Sequence, residues 1–373
     1  MKTSAALAVC LIATLCASLA YAQQTASPNA YVYVIANPAA NSYEIDGYKA
    51  DSTGALTRLT GSPFWKTSKT LYAMAHTTNW FFVSDGTNIY TFSIASTGAL
   101  KQVSSVDAAK FYEFTGLAGL GLTLDHTGST LYSLAMDGSG DNEFQFFAKN
   151  SNNGSLSFFG STSPSVPFSD LVFTANNLFA YGFTCFQAST TIYAFKRGVD
   201  GTLTQFTPKV PIPTFPNGDY CPVASAADPA NHLAVPLYLE TTGPPSPPAS
   251  LAVYSADSSG NLSTNSTRQN MPTSAVGDVN NTVASPAGNL LALAGTSGLQ
   301  IFHFNGSNPI TPYTGLLAVH NISQILWDSH DHLYGISPSG LLYAFKITAT
   351  GHKQAAGSPY SITNPRAITV LSK

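Results

Sequence analysis

The side chains able to do chemistry in this chain are few, and they fall beyond strand-like runs. They comprise the carboxylates Asp85, Asp137, Asp141, Glu143, Asp170, Asp219, Glu240 and Asp278, together with His320 and Arg366. Carboxylates converging on one opening create a negative field that draws a cation or a polar ligand. Asp85, Asp170, Asp219 and Asp278 are therefore the ligand-binding candidates, with Tyr220 beside Asp219 as a stacking surface. Within Asp137-Gly-Ser-Gly-Asp141-Asn142-Glu143, oxygen donors alternate with glycines as at the start of a calcium loop. Asp137, Asp141 and Glu143 are thus candidate metal ligands, calcium being the one cofactor suggested; a tight polar loop without metal fits the same residues. Asp328, His330 and His332 carry the donor types of a zinc site, but their place in a polar turn favours a solvated turn. The chain has no G-x-S-x-G elbow, H-E-x-x-H, phosphate-binding glycine-lysine loop or C-x-x-C.

Composition narrows the class. Lys and Arg number 16 and Asp and Glu 19 among 373 residues, a 9% charged share against roughly 25% in ordinary domains. A 44% apolar and 12% aromatic content excludes disorder. A net charge of -3 without a Lys/Arg cluster excludes nucleic acid as the expected partner. Residues 1–22 read as a secretory signal, with Lys2, an apolar run from Ala5 to Leu19 and Ala20-Tyr21-Ala22 as the cleavage site. Residues 23–30 form a short linker and 31–373 the folded domain, expected to be secreted or periplasmic and without a transmembrane span in the mature part. After cleavage two cysteines remain, Cys185 and Cys221, enough for one disulfide in an oxidising compartment.

The elements that must position these groups come from a repeat. Thr53-Gly54-Ala55-Leu56 recurs as Thr97-Gly98-Ala99-Leu100, Asn153-Gly154-Ser155-Leu156, Asp200-Gly201-Thr202-Leu203 and Ser259-Gly260-Asn261-Leu262. Degenerate copies follow at Gly306 and Gly351, and successive glycines lie 44 to 59 residues apart. Before each turn runs an alternating strand such as Ile89–Ile94 or Leu342–Ile347, and upstream of it two more short strands joined by a polar turn. Four strands per unit, seven units and no helical period predict an all-β, seven-bladed propeller. The mature chain opens on a second strand, Tyr31 to Ala36, and closes on a first strand, Ala367 to Leu371. The C-terminal strand should therefore complete the N-terminal blade, leaving no free edge.

The succession Tyr31-Val-Tyr-Val-Ile-Ala-Asn37, Ser52-Thr-Gly-Ala-Leu56 and Gly61-Ser-Pro-Phe64, the last echoed by Gly357-Ser-Pro-Tyr360, resembles the lactonase-family seven-bladed β-propellers, relatives of 6-phosphogluconolactonase. The resemblance covers the whole mature chain and implies a hydrolase of a sugar-type lactone acting at the channel mouth. Such chemistry needs a general base and a cationic or metal electrophile; Glu240, which the resemblance matches to a family glutamate, or His320 at the channel mouth is the candidate base, and Arg366 or a rim-bound calcium the candidate electrophile. The family's Gly-Pro-Arg-His strand is matched by Cys221-Pro222-Val223-Ala224, so Val223 and Ala224 replace its Arg-His, while Asn364-Pro365-Arg366-Ala367 keeps Pro-Arg. With no complete catalytic set visible, the residues by themselves favour a non-catalytic propeller whose same face binds a glycan, a peptide or an envelope or extracellular protein. The proline-rich segment Glu240 to Ala249 should project at that face.

Overall fold

The computed structural model describes residues 27–112, 116–137, 142–164, 171–186, 189–211, 213, 220–239 and 248–373. Its strands assemble into seven separate antiparallel sheets, each built on a four-strand path. Among the described residues the one helical element is a single turn, Ala109–Phe111. The predicted propeller is therefore observed, and its blades follow one another along the chain.

Blade 1 contains Ala30–Ala39, Ser42–Ala50 and Leu56–Arg58, and its innermost strand is Pro365–Ser372 from the C-terminus. Tyr31 lies opposite Leu371 and Val34 opposite Ile368 in an antiparallel ladder, the closure expected from the sequence. Blades 2 to 7 begin with inner strands Met74–His76, Gly116–Leu124, Val172–Phe173, Tyr220–Pro222 with Ala226–Ala227, Val279–Ala284 and Gln324–Trp327. The two Gly-Ser-Pro-aromatic elements precede extra strands, Trp65–Thr67 and Tyr360–Ser361, laid against the third strands of blades 1 and 7.

Why the strands read as almost continuous apolar runs becomes clear from the packing. Side chains alternate across a strand, and here both faces are covered. In Ala30–Ala39, Val32, Val34 and Ala36 pack against Tyr334, Ile336 and Leu342 of blade 7, whereas Tyr31, Tyr33 and Ile35 pack against Phe81, Val83 and Phe92 of blade 2. Comparable apolar clusters fill the other blade interfaces. The core is thus a ring of seven slabs around a channel, rather than one central mass.

Several of the repeated glycines lock a slab from below. Gly154 has φ 71°, and a Cβ there would sit 2.5 Å from the Trp80 ring of the preceding blade. Gly98 likewise lies over Tyr31, and the Tyr33 hydroxyl donates to the Gly98 carbonyl at 2.8 Å. Tyr132 and Tyr181 repeat that bond to Gly201 and Gly260. A side chain at such a glycine would demand both a left-handed backbone and space that the neighbouring blade already fills.

Candidate functional site

The blade path divides the polar groups between two ends of the channel. At the upper end lie the loops joining second to third strands and those carrying each outer strand to the next blade. At the lower end lie the first-to-second and third-to-fourth turns.

His320 occupies the upper connection between Thr311–Ala318 of blade 6 and Gln324–Trp327 of blade 7, exposed to solvent. Its Nδ1 lies 2.9 Å from the hydroxyl of Tyr343. Tyr343 belongs to the third strand of blade 7, Leu341–Thr348, and burial raises its hydroxyl above the usual phenol pKa. Which of the two donates depends on the imidazole tautomer; where Nδ1–H donates to the phenol oxygen, Nε2 carries the lone pair of a base. The connection is itself anchored, because Asn280 Nδ2 donates to Asn321 Oδ1 at 2.8 Å and to the Ile322 carbonyl at 2.9 Å. Sequence reasoning missed Tyr343, which reads simply as one more aromatic residue in an alternating strand, and missed the role of Asn280.

Arg366 stands exposed at the start of the innermost strand of blade 1. Asn364 just before it takes φ 43° and donates to Asn37 Oδ1 at 3.0 Å, fixing where the strand begins. Asp278 is also exposed; its N–H donates to Thr296 Oγ1 and its carbonyl accepts from Thr296 N, both at 2.9 Å. Tyr238, two residues before Glu240, receives the Val279 N–H on its hydroxyl at 2.5 Å, tying the end of His232–Leu239 to the Asp278 segment. Glu240, Asp170, Asp219 and Asp141 lie outside the described residues.

Two other rim candidates turn inward. The Asp85 side chain is fully buried, accepts from the N–H groups of Thr87 and Asn88 and from the Tyr90 hydroxyl, and pairs with Lys69 at 3.0 Å. Burial works to raise its carboxyl, but these bonds together outweigh it and hold the group below the usual carboxylate range. Its acceptor sites go to the hairpin rather than to the channel mouth. Tyr220 is 4% exposed and packs with Tyr181, Leu237 and Tyr254 between blades 4 and 5, so its ring presents no stacking face to solvent.

Of the calcium-loop residues, Asp137 is half-buried at the end of Thr130–Asp137, and Glu143 is buried within Asn142–Lys149. No three metal-ligating side chains gather among the described residues. Cys221 is buried and disulfide-bonded, while the side chain of Cys185 lies outside the described residues.

At the lower end, the solvated-turn reading of Asp328 and His332 gives way to a structural one. Both side chains are wholly buried; Asp328 Oδ2 lies 2.7 Å from His332 Nδ1 and accepts from Tyr334 at 3.1 Å, and His332 Nε2 reaches the Ser52 carbonyl of blade 1 at 3.3 Å. Burial pushes the Asp328 carboxyl up, yet the bonds from His332 and the turn N–H groups prevail and keep it below the usual range. Asp125 plays the same part in blade 3, bonding its own turn and pairing with Arg197 of blade 4.

Comparison with solved structures shows the same architecture. A provisionally assigned 6-phosphogluconolactonase from Bacteroides fragilis superposes with TM-score 0.66 at 12% identity, covering 94% of this chain and 99% of that one. A periplasmic gluconolactonase from Pseudomonas aeruginosa gives 0.63 at 13%, covering 92% and 99%. The fold is that of the lactonase-type propellers. A hypothetical selenium-binding protein from Sulfolobus tokodaii also matches, with TM-score 0.58 at 8% identity over 93% of this chain and 94% of that one. The lactonase-type ring is thus a scaffold shared with proteins of other description, and the fold does not fix the reaction. No family model and no curated protein sequence matches the chain.

Proposed function

We propose that the protein is an exported lactonase-like propeller that hydrolyses a sugar-type lactone at the upper mouth of its channel. The observation that carries the reading is His320, an exposed imidazole at that mouth held by Tyr343, on a ring matched by a periplasmic gluconolactonase. Hydrolysis requires a base to take a proton from water as it attacks the ester carbonyl, and a cation to meet the oxyanion that forms. His320 Nε2 supplies the base and Arg366 the cation; Glu240 is the second candidate base. The protonated base then returns its proton to the ring oxygen as the acyl–oxygen bond breaks. With Val223 and Ala224 in place of an Arg-His pair, the reading favours a lactone without a phosphate.

The test is pH-stat titration of acid release from D-glucono-1,5-lactone by the purified protein, with the spontaneous rate subtracted. His320→Gln should lower kcat by about 100-fold or more, and Glu240→Gln similarly if that residue is the base, each with an unchanged melting profile. Turnover equal to wild type in both variants rejects these assignments. Absence of any enzyme-dependent release favours the non-catalytic reading, in which the same rim binds a carbohydrate or an extracellular protein. Export is tested by N-terminal sequencing of the protein recovered outside the cytoplasm, expected to begin at Gln23.

A further inference from the structure

A recess of ≈ 510 Å³ opens where blade 7 meets blade 1. One wall is the lower-end turn of blade 1, at Ser52 and Thr53. The other is formed by the third and outer strands of blade 7, Leu341–Thr348 and Gly351–Gln354, and by Ala356 beyond them. That volume is in the range of small-molecule sites, and none of the residues assigned to the upper mouth lines it.

Charge is distributed unevenly here. Lys346 and Lys353 both line the recess, and the strand register sets them directly opposite each other. Such partners have Cβ atoms about 5 Å apart on one face, where like charges repel. Both residues are exposed, so a ligand can reach them without rearrangement. Lys346 Nζ donates to the Ser52 carbonyl at 3.4 Å, a contact that leaves its charge unanswered. The ion pairs of the described residues engage Arg58, Lys66, Lys69, Arg197 and two histidines, and neither Lys346 nor Lys353. No carboxylate lines the recess, although the chain has 19 Asp and Glu against 16 Lys and Arg. Asp51, next to Ser52 in the chain, serves its own turn: its Oδ1 accepts from the Thr53 N–H and hydroxyl and from the Ala55 N–H. His352 also lines the recess, with its ring edge-on to Tyr313 at 6.0 Å.

We propose that this recess binds a phosphate dianion between Lys346 and Lys353, either free or as the monoester of a small metabolite whose remainder lies beside Ala356. Lysine serves phosphate as a point charge, and a dianion answers both ammonium groups where a carboxylate answers one.

Isothermal titration of the purified protein at about pH 8, where a phosphate monoester carries two charges, tests this with inorganic phosphate, glycerol 3-phosphate, glycerol and sodium acetate. Phosphate or its ester should bind saturably, the tighter of the two naming the form the recess takes, and glycerol and acetate should not bind. Lys346→Gln and Lys353→Gln should each weaken binding by about tenfold or more. Lys101→Gln, which removes an exposed lysine from the outer strand of blade 2, should leave it unchanged. An unchanged melting profile without ligand certifies each variant as folded. Failure of both phosphates to bind overturns the proposal and leaves the two lysines as guards of an outer sheet edge. Acetate binding as tightly as phosphate also overturns it, as does binding that all three variants keep or lose alike. Lactone hydrolysis is not the readout, so this outcome is independent of the reaction assigned to the upper mouth.

Discussion

The two ends of the channel are built on different rules. At the lower end the same devices recur from blade to blade: a left-handed glycine under the neighbouring blade, a tyrosine donating to its carbonyl, an aspartate closing a turn. At the upper end each candidate group is held by a different partner. His320 leans on Tyr343, Arg366 follows an Asn–Asn contact, and Asp278 rests on Thr296. Repetition marks the end that must be alike in every blade for the ring to close, and irregularity marks the end left free to carry a specific chemistry.

The largest effect should come from the ring itself. Deleting Pro365–Lys373 removes the inner strand of blade 1 and uncovers the Ala30–Ala39 edge. We expect the melting temperature to fall by more than about 10 °C in differential scanning calorimetry, and an unchanged transition would refute closure by that strand.

Next come the lower-end glycines. Gly154→Ala meets both a φ of 71° and the Trp80 ring, whereas a Cβ at Gly351, the degenerate copy, meets nothing within 4 Å. Urea unfolding should show a loss of about 2–4 kcal/mol for the first and under about 0.5 kcal/mol for the second. Equal losses would mean that the turn sequence, and not contact with the preceding blade, is what matters.

Acid should strike the lower end next. Asp328 and Asp125 are held below the ordinary carboxylate range in the folded protein. Their contribution is therefore present above the unfolded value of about 3.9 and is lost as pH falls through the lower folded values. Urea midpoints should fall between neutral pH and about pH 3, and Asp328→Asn should flatten that fall while costing about 1–3 kcal/mol at neutral pH. The smallest effect on stability belongs to the upper end: His320→Gln should stay within about 0.5 kcal/mol of wild type, since its side chain is exposed, even as it removes the proposed base.

The same contrast explains what the sequence alone makes legible. The blade count, the four-strand unit and the closing strand were legible because packing on both faces and one repeated turn leave strong periodic marks, as at Gly98 and in Tyr31–Ala36. Strand order assigns each polar residue to one end of the channel. Which way its side chain turns did not follow: Asp85 faces its own hairpin N–H groups, and Tyr220 enters a slab between blades. Neither leaves a pattern, because a loop carboxylate that binds solvent and one that binds backbone look alike in sequence. Tyr343 was hidden for the opposite reason, since its partner His320 lies 23 positions away in a different blade connection.

The pairing of Tyr31 with Leu371 also sets an order of events during folding. Ala30–Ala39 cannot meet its inner neighbour until Pro365–Ser372 has been made, so blade 1 keeps an open edge while the strands between them are laid down. Contacts so distant in sequence form slowly, and an unpaired edge invites association with other chains. Pro365–Ser372 is therefore the strand that protects that edge.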